Sequence, residues 1–322
     1  MRRNRRTILL LIIACLGVVL INQSYWTSVP DTELKILSHR GVHQTFHREG
    51  LTNETCTAER IFEPTHSYIE NTIPSIQAAF DYGADMVEFD LRRTADNDFA
   101  VFHDHKLDCR TNGSGAIRGH NMAELRLLDL GFGYTADGGA TYPLRGKGVG
   151  LMVNLEELFE TFPDKAFQIN IKSNDPEEAD LLFSYMRASN HQISEKTRLW
   201  SGLLFAKRWR ELGTHIPIGS RQDANACAKS YILLGWSAYV PESCAHSGLV
   251  VPQNMSWLYW GWPRKTAKRF EGSQIPVFLT GRLDGPYQNI DTLEQVEDIA
   301  KDYRGWVITD RIEFIGPALK AQ

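Results

Sequence analysis

Nowhere in its 322 residues does the chain contain a Gly/Ser-rich, Pro-rich or single-sign stretch long enough to act as a linker. That absence favours one large domain over two small ones. An excess of positive charge is missing too. The formal net charge is -4, and four of the 35 basic residues, Arg2, Arg3, Arg5 and Arg6, crowd the start of the chain. Without those four, 31 basic residues face 39 acidic ones, a formal -8. Nucleic acid is thereby disfavoured as a partner, because phosphate-backbone binding needs clustered Lys and Arg. No cysteine pair has C-x-x-C spacing, which removes the usual zinc-site signature. No acidic residue precedes Asp31, and no apolar run reaches the about 20 residues of a comfortable membrane span.

The composition that remains, 43% hydrophobic and 23% charged, is that of a globular domain with a large core. Its first segment differs. Arginines followed by the apolar run from Thr7 to Ile21 form a start-of-chain membrane signal, with the positive flank retained on the cytoplasmic side. Residues 1–24 are therefore expected to be an uncleaved signal anchor or transmembrane helix. This segment would join the chain to a membrane and leave the remainder on the exported side, whether periplasmic, extracellular or lumenal. No clean Ala-x-Ala site follows the run. A lipoprotein-like reading of Ile12-Ile13-Ala14-Cys15 is the alternative, but cleavage there leaves the apolar stretch from Leu16 to Ile21 as the new amino end.

Apart from Cys15 there are four cysteines, an even number that permits two disulfides in an oxidising compartment. Cys56 with Cys109 and Cys227 with Cys244 is one of three connectivities. It is preferred because each pair falls in expected loops.

From residue 34 to 318, short β-branched runs alternate with amphipathic helical stretches, the pattern of parallel strands joined by helices. The strands are expected at 34–38, 86–91, 166–171, 198–202, 216–220, 248–252, 275–279 and 306–309. Helices are expected at 72–82, 155–161, 176–189, 206–212, 225–235, 263–270, 292–303 and 312–321. Eight rounds suit an α/β (β/α)8 TIM barrel. Two long polar segments interrupt the pattern: 42–69, and 105–153 after a further short β run at Phe99–Phe102. Both follow strands, so both are expected at the carboxyl end of the sheet, where such barrels build their sites.

Chemistry-bearing residues collect at those strand ends. In Glu88-x-Asp90 the strand period of two points both carboxylates to one side, and paired hard oxygens suit Mg²⁺ or Ca²⁺. Solvated acids are the bland alternative for such a tripeptide, but Met86, Val87, Phe89 and Leu91 make this strand apolar, where unpaired carboxylates are costly. His39-Arg40 follows the first strand and His103-Asp104 ends the Phe99–Phe102 run. Histidines there suit proton transfer near neutral pH.

The ordered set His39-Arg40-Gly41, Glu70-Asn71-Thr72, Gly83-Ala84-Asp85, Glu88-Phe89-Asp90, His103-Asp104, Arg110-Thr111 and Val307-Ile308-Thr309-Asp310 resembles the glycerophosphodiester phosphodiesterase family. The resemblance implies a TIM barrel and a divalent cation, Mg or Ca, held by Glu88 and Asp90. It implies acid and base roles for His39 and His103, with Arg40 and Lys172 on the phosphoryl oxygens. The substrate would be a small-molecule phosphodiester, cleaved to glycerol 3-phosphate and an alcohol. Glu70 and Asn71 are expected either to orient substrate or to cap the helix at Thr72.

The sequence departs from the family pattern at Asn170, where a glutamate usually supplies a third metal ligand. A neutral carbonyl can still coordinate, with one charge fewer. Weaker metal binding, compensation by another acid, and loss of catalysis are all open. The last would leave a barrel that only binds a phosphate-bearing ligand. The run Val277–Gly281 also lacks the family's Trp-Thr-Val-Asn pattern. The aromatic stretch Trp257–Trp262 is expected at the barrel mouth, lining a pocket for an acyl or aryl group, touching a membrane, or packing on the core. A lysophospholipid substrate therefore stays open.

Overall fold

The structure is a computed structural model that describes residues 2–52, 54–188, 196–285 and 288–321. Nine strands form one sheet: β1 (Lys35–His39), β2 (Met86–Arg93), β3 (Phe99–Val101), β4 (Phe167–Ile171), β5 (Arg198–Ser201), β6 (Ile218–Ser220), β7 (Leu249–Pro252), β8 (Val277–Thr280) and β9 (Trp306–Thr309). Eight are parallel, in the order β6-β5-β4-β2-β1-β9-β8-β7, and β3 pairs antiparallel with β2. Strands buried on both faces read as continuous apolar runs. β2 shows this, with Met86 to Leu91 all buried.

Eleven α-helices are described: α1 (Arg2–Ile21), α2 (Ile73–Asp81), α3 (Met122–Leu125), α4 (Leu155–Thr161), α5 (Pro176–Ala188), α6 (Leu203–Glu211), α7 (Arg221–Leu234), α8 (Ser243–Ser247), α9 (Arg264–Glu271), α10 (Leu293–Glu297) and α11 (Ile312–Lys320). The eight expected helices of the repeating pattern are present, although the seventh, expected over 292–303, is helical only from Leu293 to Glu297. Ser189, the last residue expected in the third, lies outside the described residues. Asn154 and Thr292 begin α4 and α10 with reciprocal capping boxes.

The closed barrel expected from the pattern is corrected to a curled parallel sheet of barrel type, because no ladder joins β6 to β7 among the described residues. Gly219 lies beside the gap. A Cβ there would stand 2.8 Å from Ser247 Cα and 3.0 Å from the His246 carbonyl oxygen. The end of α8 is thus packed where a paired strand would run, and Arg198 donates to the same carbonyl at 3.3 Å.

The two long interruptions fold together rather than lying as loose loops. Ala58, Ile61, Ile69, Phe102, Leu107, Met122, Leu130 and Tyr134 share a small core of their own, and a Cys56–Cys109 disulfide staples the segments. Cys227–Cys244 is the second disulfide, as expected in pairing but not in setting. Cys227 sits on α7, within the helix expected at 225–235, and Cys244 on the short α8 rather than in a loop.

The amino-terminal helix forms where it was expected, yet no helix of the described residues is long and apolar enough to cross a membrane. The transmembrane reading of residues 1–24 therefore finds no support in the fold. Its apolar residues, from Ile8 to Ile21, are mostly exposed.

Candidate active site

Two backbone features build the site. Arg40 and Asn71 both adopt positive φ, 59° each, a conformation that costs a non-glycine residue about 1 kcal/mol or more and tends to persist at functional sites. The Asn71 N–H donates to the Arg40 carbonyl at 3.2 Å, so the turns after β1 and before α2 are locked together. Beside them Gly41 has φ +74°, and a Cβ there would come within 2.6 Å of Ser75 Oγ. Only glycine fits.

Asp90 is the centre of the arrangement and is fully buried. Its carboxylate meets Lys172 Nζ at 2.8 Å and Arg40 Nε at 3.2 Å, and accepts from the side-chain amides of Asn71 at 3.0 Å and Asn170 at 3.2 Å. Burial pushes its pKa up, but Lys172 and Arg40 outweigh that and hold it well below the usual range. Glu88 differs. Its Oε2 accepts from the Arg40 backbone N–H at 3.1 Å, and among the described residues only His39, at 3.7 Å, stands within ion-pair distance. Burial and the neighbouring Asp90 raise its pKa.

His39 ends β1 with Nδ1 2.5 Å from Asp310 Oδ1. Burial favours the neutral ring, but Glu88 and Asp310 together win and raise its pKa. His103 reaches the site by a different route. The short β3 turns back along β2, and the Phe102 N–H donates to the Asp90 carbonyl at 3.0 Å, so the following histidine stands beside Asp90. Its Nδ1 lies 2.6 Å from Asp104, yet burial and nearby Arg40 depress its pKa to about 4. One histidine is held toward its charged form and the other kept neutral.

Glu70 is buried behind Arg40, with one oxygen 3.0 Å from Arg40 and the other 3.1 Å from Arg110. Neither it nor Asn71 caps α2. Thr72 does so itself, its hydroxyl accepting from the Ser75 N–H. Glu70 thus supports two arginines of the site. Arg110 in turn holds Asp104 at 2.9 Å.

Asp310, His43, Arg110 and Asp104 were not singled out by sequence reasoning as site residues. Asp104, Arg110 and Asp310 appeared only as parts of the family-like pattern, and His43 carried no local signal. His43 is buried, with its pKa lowered to about 4 by burial.

A cavity of about 1080 Å³ opens above the sheet, with His39, Glu88, Asn170, Gln168, Trp200 and Phe278 on its walls. The aromatic stretch lies elsewhere. Trp257 to Trp262 border a separate groove beside the end of α1, so they do not shape an acyl pocket at the mouth. Trp262 stacks on Tyr303 at 4.9 Å, and the Trp260 carbonyl accepts from Tyr231.

Whether these residues suit a divalent cation follows from the donors. Five carboxylates (Glu70, Glu88, Asp90, Asp104, Asp310) share three permanent cations (Arg40, Arg110, Lys172), and the uncompensated charge falls on the Glu88 side. Asn170 turns its NH₂ to Asp90, which leaves its carbonyl oxygen as a hard donor. Glu88 and Asn170 fit a cation. Asp90 is already engaged by Lys172 and Arg40. Separately, His39, His43 and Asp310 offer ligand atoms within 4.8 Å of one another.

Curated relatives match about a third of the chain. A glycerophosphodiester phosphodiesterase of Bacillus subtilis is 39% identical over 110 residues, 33% of this chain and 36% of the relative. Another, from Caldanaerobacter subterraneus, is 34% identical over 104 residues, 32% of this chain and 39% of the relative. The chain thus spans little more than a third of the length of these relatives. Among solved structures, a glycerophosphodiester phosphodiesterase of Agrobacterium tumefaciens superposes with a TM-score of 0.60 at 18% identity, over 90% of this chain and all of that one. An Oleispira antarctica phosphodiesterase, in complex with the product sn-glycerol-3-phosphate, gives 0.59 at 17% identity, over 89% of this chain and 96% of that one. At such identities the likeness establishes the fold. The model of the glycerophosphoryl diester phosphodiesterase family matches residues 39–211, more than half the sequence, and the chain belongs to that family.

Proposed function

We propose that this chain hydrolyses glycerophosphodiesters to glycerol 3-phosphate and an alcohol, with His39 as the acid and His103 as the base. The supporting observation is the opposed electrostatics of the two histidines around one cluster of cations. The attacking oxygen gives its proton to neutral His103 as it bonds to phosphorus, the bond from phosphorus to the leaving oxygen breaks, and His39 protonates the departing alkoxide. Arg40 and Lys172 stabilise negative charge on the non-bridging oxygens. Mg²⁺ or Ca²⁺ would be held by Glu88 and Asn170 with Asp90 behind them, and would supply further neutralisation of the phosphoryl group. His39, His103 and Glu88 are the residues whose loss should matter most.

The test sets glycerophosphocholine beside lysophosphatidylcholine, with and without chelator. Release of glycerol 3-phosphate from the first, abolished by His103→Asn and Glu88→Ala, supports the reading. Exclusive turnover of the lysolipid shifts it to lysophospholipase D activity. No turnover of either with any divalent cation leaves a phosphate-binding barrel instead. Location on the exported side of a membrane is part of the same proposal, and the two disulfides support it, since such bonds persist in oxidising compartments.

A further inference from the structure

An exposed apolar surface that the catalytic reading does not use lies at the base of α1. Trp257 is 77% exposed, Leu233 70% and Trp26 66%, with Tyr25, Trp236 and Tyr239 also exposed. These residues are neighbours. The Asn22 side chain donates to the Trp236 carbonyl at 2.9 Å, and Val19 and Trp257 border one groove. The Trp26 indole N–H caps the helix end, donating to the Leu20 carbonyl at 2.9 Å.

The helix is also not a loose tether. Arg269 bonds Asn22 Oδ1 at 2.6 Å and the Gly235 carbonyl at 2.8 Å, joining the ends of α1 and α7. The Arg264 N–H donates to Ser24 Oγ at 3.0 Å, and its guanidinium to the Thr27 carbonyl at 3.2 Å. Lys268 bonds Ser28, and Lys265 bonds the Ile21 carbonyl. Such a seam holds α1 in a fixed direction relative to the sheet.

A helix apolar on every side belongs in a protein core or in lipid, and α1 exposes Ile8 to Ile13, Leu16, Leu20 and Ile21. Its apolar run, residues 7–21, is roughly 22 Å long at about 1.5 Å per residue, short of the about 30 Å hydrocarbon core. Arginines lead it and aromatic residues follow it. Trp and Tyr favour the lipid–water boundary, where the ring is apolar and one edge is wet.

We infer that α1 and the aromatic collar formed by Tyr25, Trp26, Trp236, Tyr239 and Trp257 make one surface that seats in a phospholipid bilayer containing anionic lipid. α1 lies at a shallow angle in the interface without crossing the bilayer, so that its leading arginines and the collar both rest at headgroup depth. Lipid is favoured over a second copy by charge. Two aligned copies of α1 would bring their arginine clusters together, whereas anionic headgroups complement them. This inference is independent of the catalytic reading.

The test floats the full-length chain with phosphatidylcholine vesicles, with and without phosphatidylglycerol, and repeats it with acyl chains brominated to quench tryptophan. Trp236→Ala with Trp257→Ala should weaken partitioning about tenfold or more, and Trp257→Phe should remove part of the quenching. Leu127→Ala, which alters a leucine 76% exposed in the segment 105–153, serves as the control and should bind as the parent does. Near-ultraviolet circular dichroism confirms that each variant is folded. Unchanged flotation of the double variant overturns the collar, as does quenching identical in Trp257→Phe and the parent. A lipid-free dimer that the double variant splits, with vesicle binding intact, assigns the surface to a second copy and also overturns it.

Discussion

Replacing Asp310 with asparagine tests the acid assignment most directly. The substitution keeps the shape of the side chain beside His39 and removes its charge. At 2.5 Å, the bond from imidazolium to carboxylate is charge-assisted, a class worth about 1.5–3 kcal/mol. At about 1.36 kcal/mol per pKa unit, its loss should lower the His39 pKa by about one to two units. Glu88 at 3.7 Å retains part of the elevation. An acid must carry its proton when the alkoxide leaves, so activity is lost as pH rises through its pKa. In Asp310→Asn the alkaline limb of the kcat profile should move down by about one to two units, with the acid limb unmoved. The His39 ring carbon in an NMR titration should report the same displacement. Stability follows the opposite sign for Asp310 itself. Burial raises its pKa, but His39 wins and depresses it, so its contribution is present above the unfolded value of about 3.9 and is lost as pH falls below it. Parent and variant should therefore converge in stability at low pH. An alkaline limb that stays where it was would refute His39 as the acid, or Asp310 as what tunes it.

Glu70→Gln removes the one carboxylate shared by Arg40 and Arg110; breaking a buried pair of this kind costs about 3–5 kcal/mol, to be read from urea denaturation. Asn170→Glu adds a third acid on the cavity wall, and should tighten the divalent cation requirement about tenfold or more in calorimetry while lowering the melting temperature of the cation-free protein. Cys56→Ala with Cys109→Ala frees a loop with a separation of 53 residues, against 17 for Cys227–Cys244. Loop entropy gives about 4 and about 3 kcal/mol respectively, so the first pair should be the costlier to lose in thermal denaturation.

The strands were legible because their buried positions are apolar, nearly continuously in β2 and in alternation in β4. Glu88 and Asp90 were legible for the same reason, as acids that an apolar strand would not otherwise carry. The gap between β6 and β7 was not, since ladder closure between strands is a long-range matter with no local signature. Nor was the partner of His39. Asp310 lies 271 residues away, and only the curl of the sheet, with β1 paired to β9, brings them together. His103 was expected at a strand end, but the antiparallel return of β3 that delivers it could not be read from a run of three or four residues. Cys244 was expected in a loop because α8, which carries it, is only five residues long.

Asn170 is the residue on which sequence and structure bear jointly. Its Cα is the direct ladder partner of Asp90, and like charges placed opposite one another on a sheet repel. A glutamate there would face a carboxylate already balanced by Lys172 and Arg40, and would have no cation of its own among the described residues. Asparagine removes that repulsion and donates to Asp90 instead, while its carbonyl still faces the cavity. The site is thereby held together in the absence of metal by Lys172 and Arg40. The cost falls on ligand charge, which largely sets the affinity of a hard cation. A chain so arranged should stay folded under chelation and need more cation than a three-carboxylate site to reach full rate.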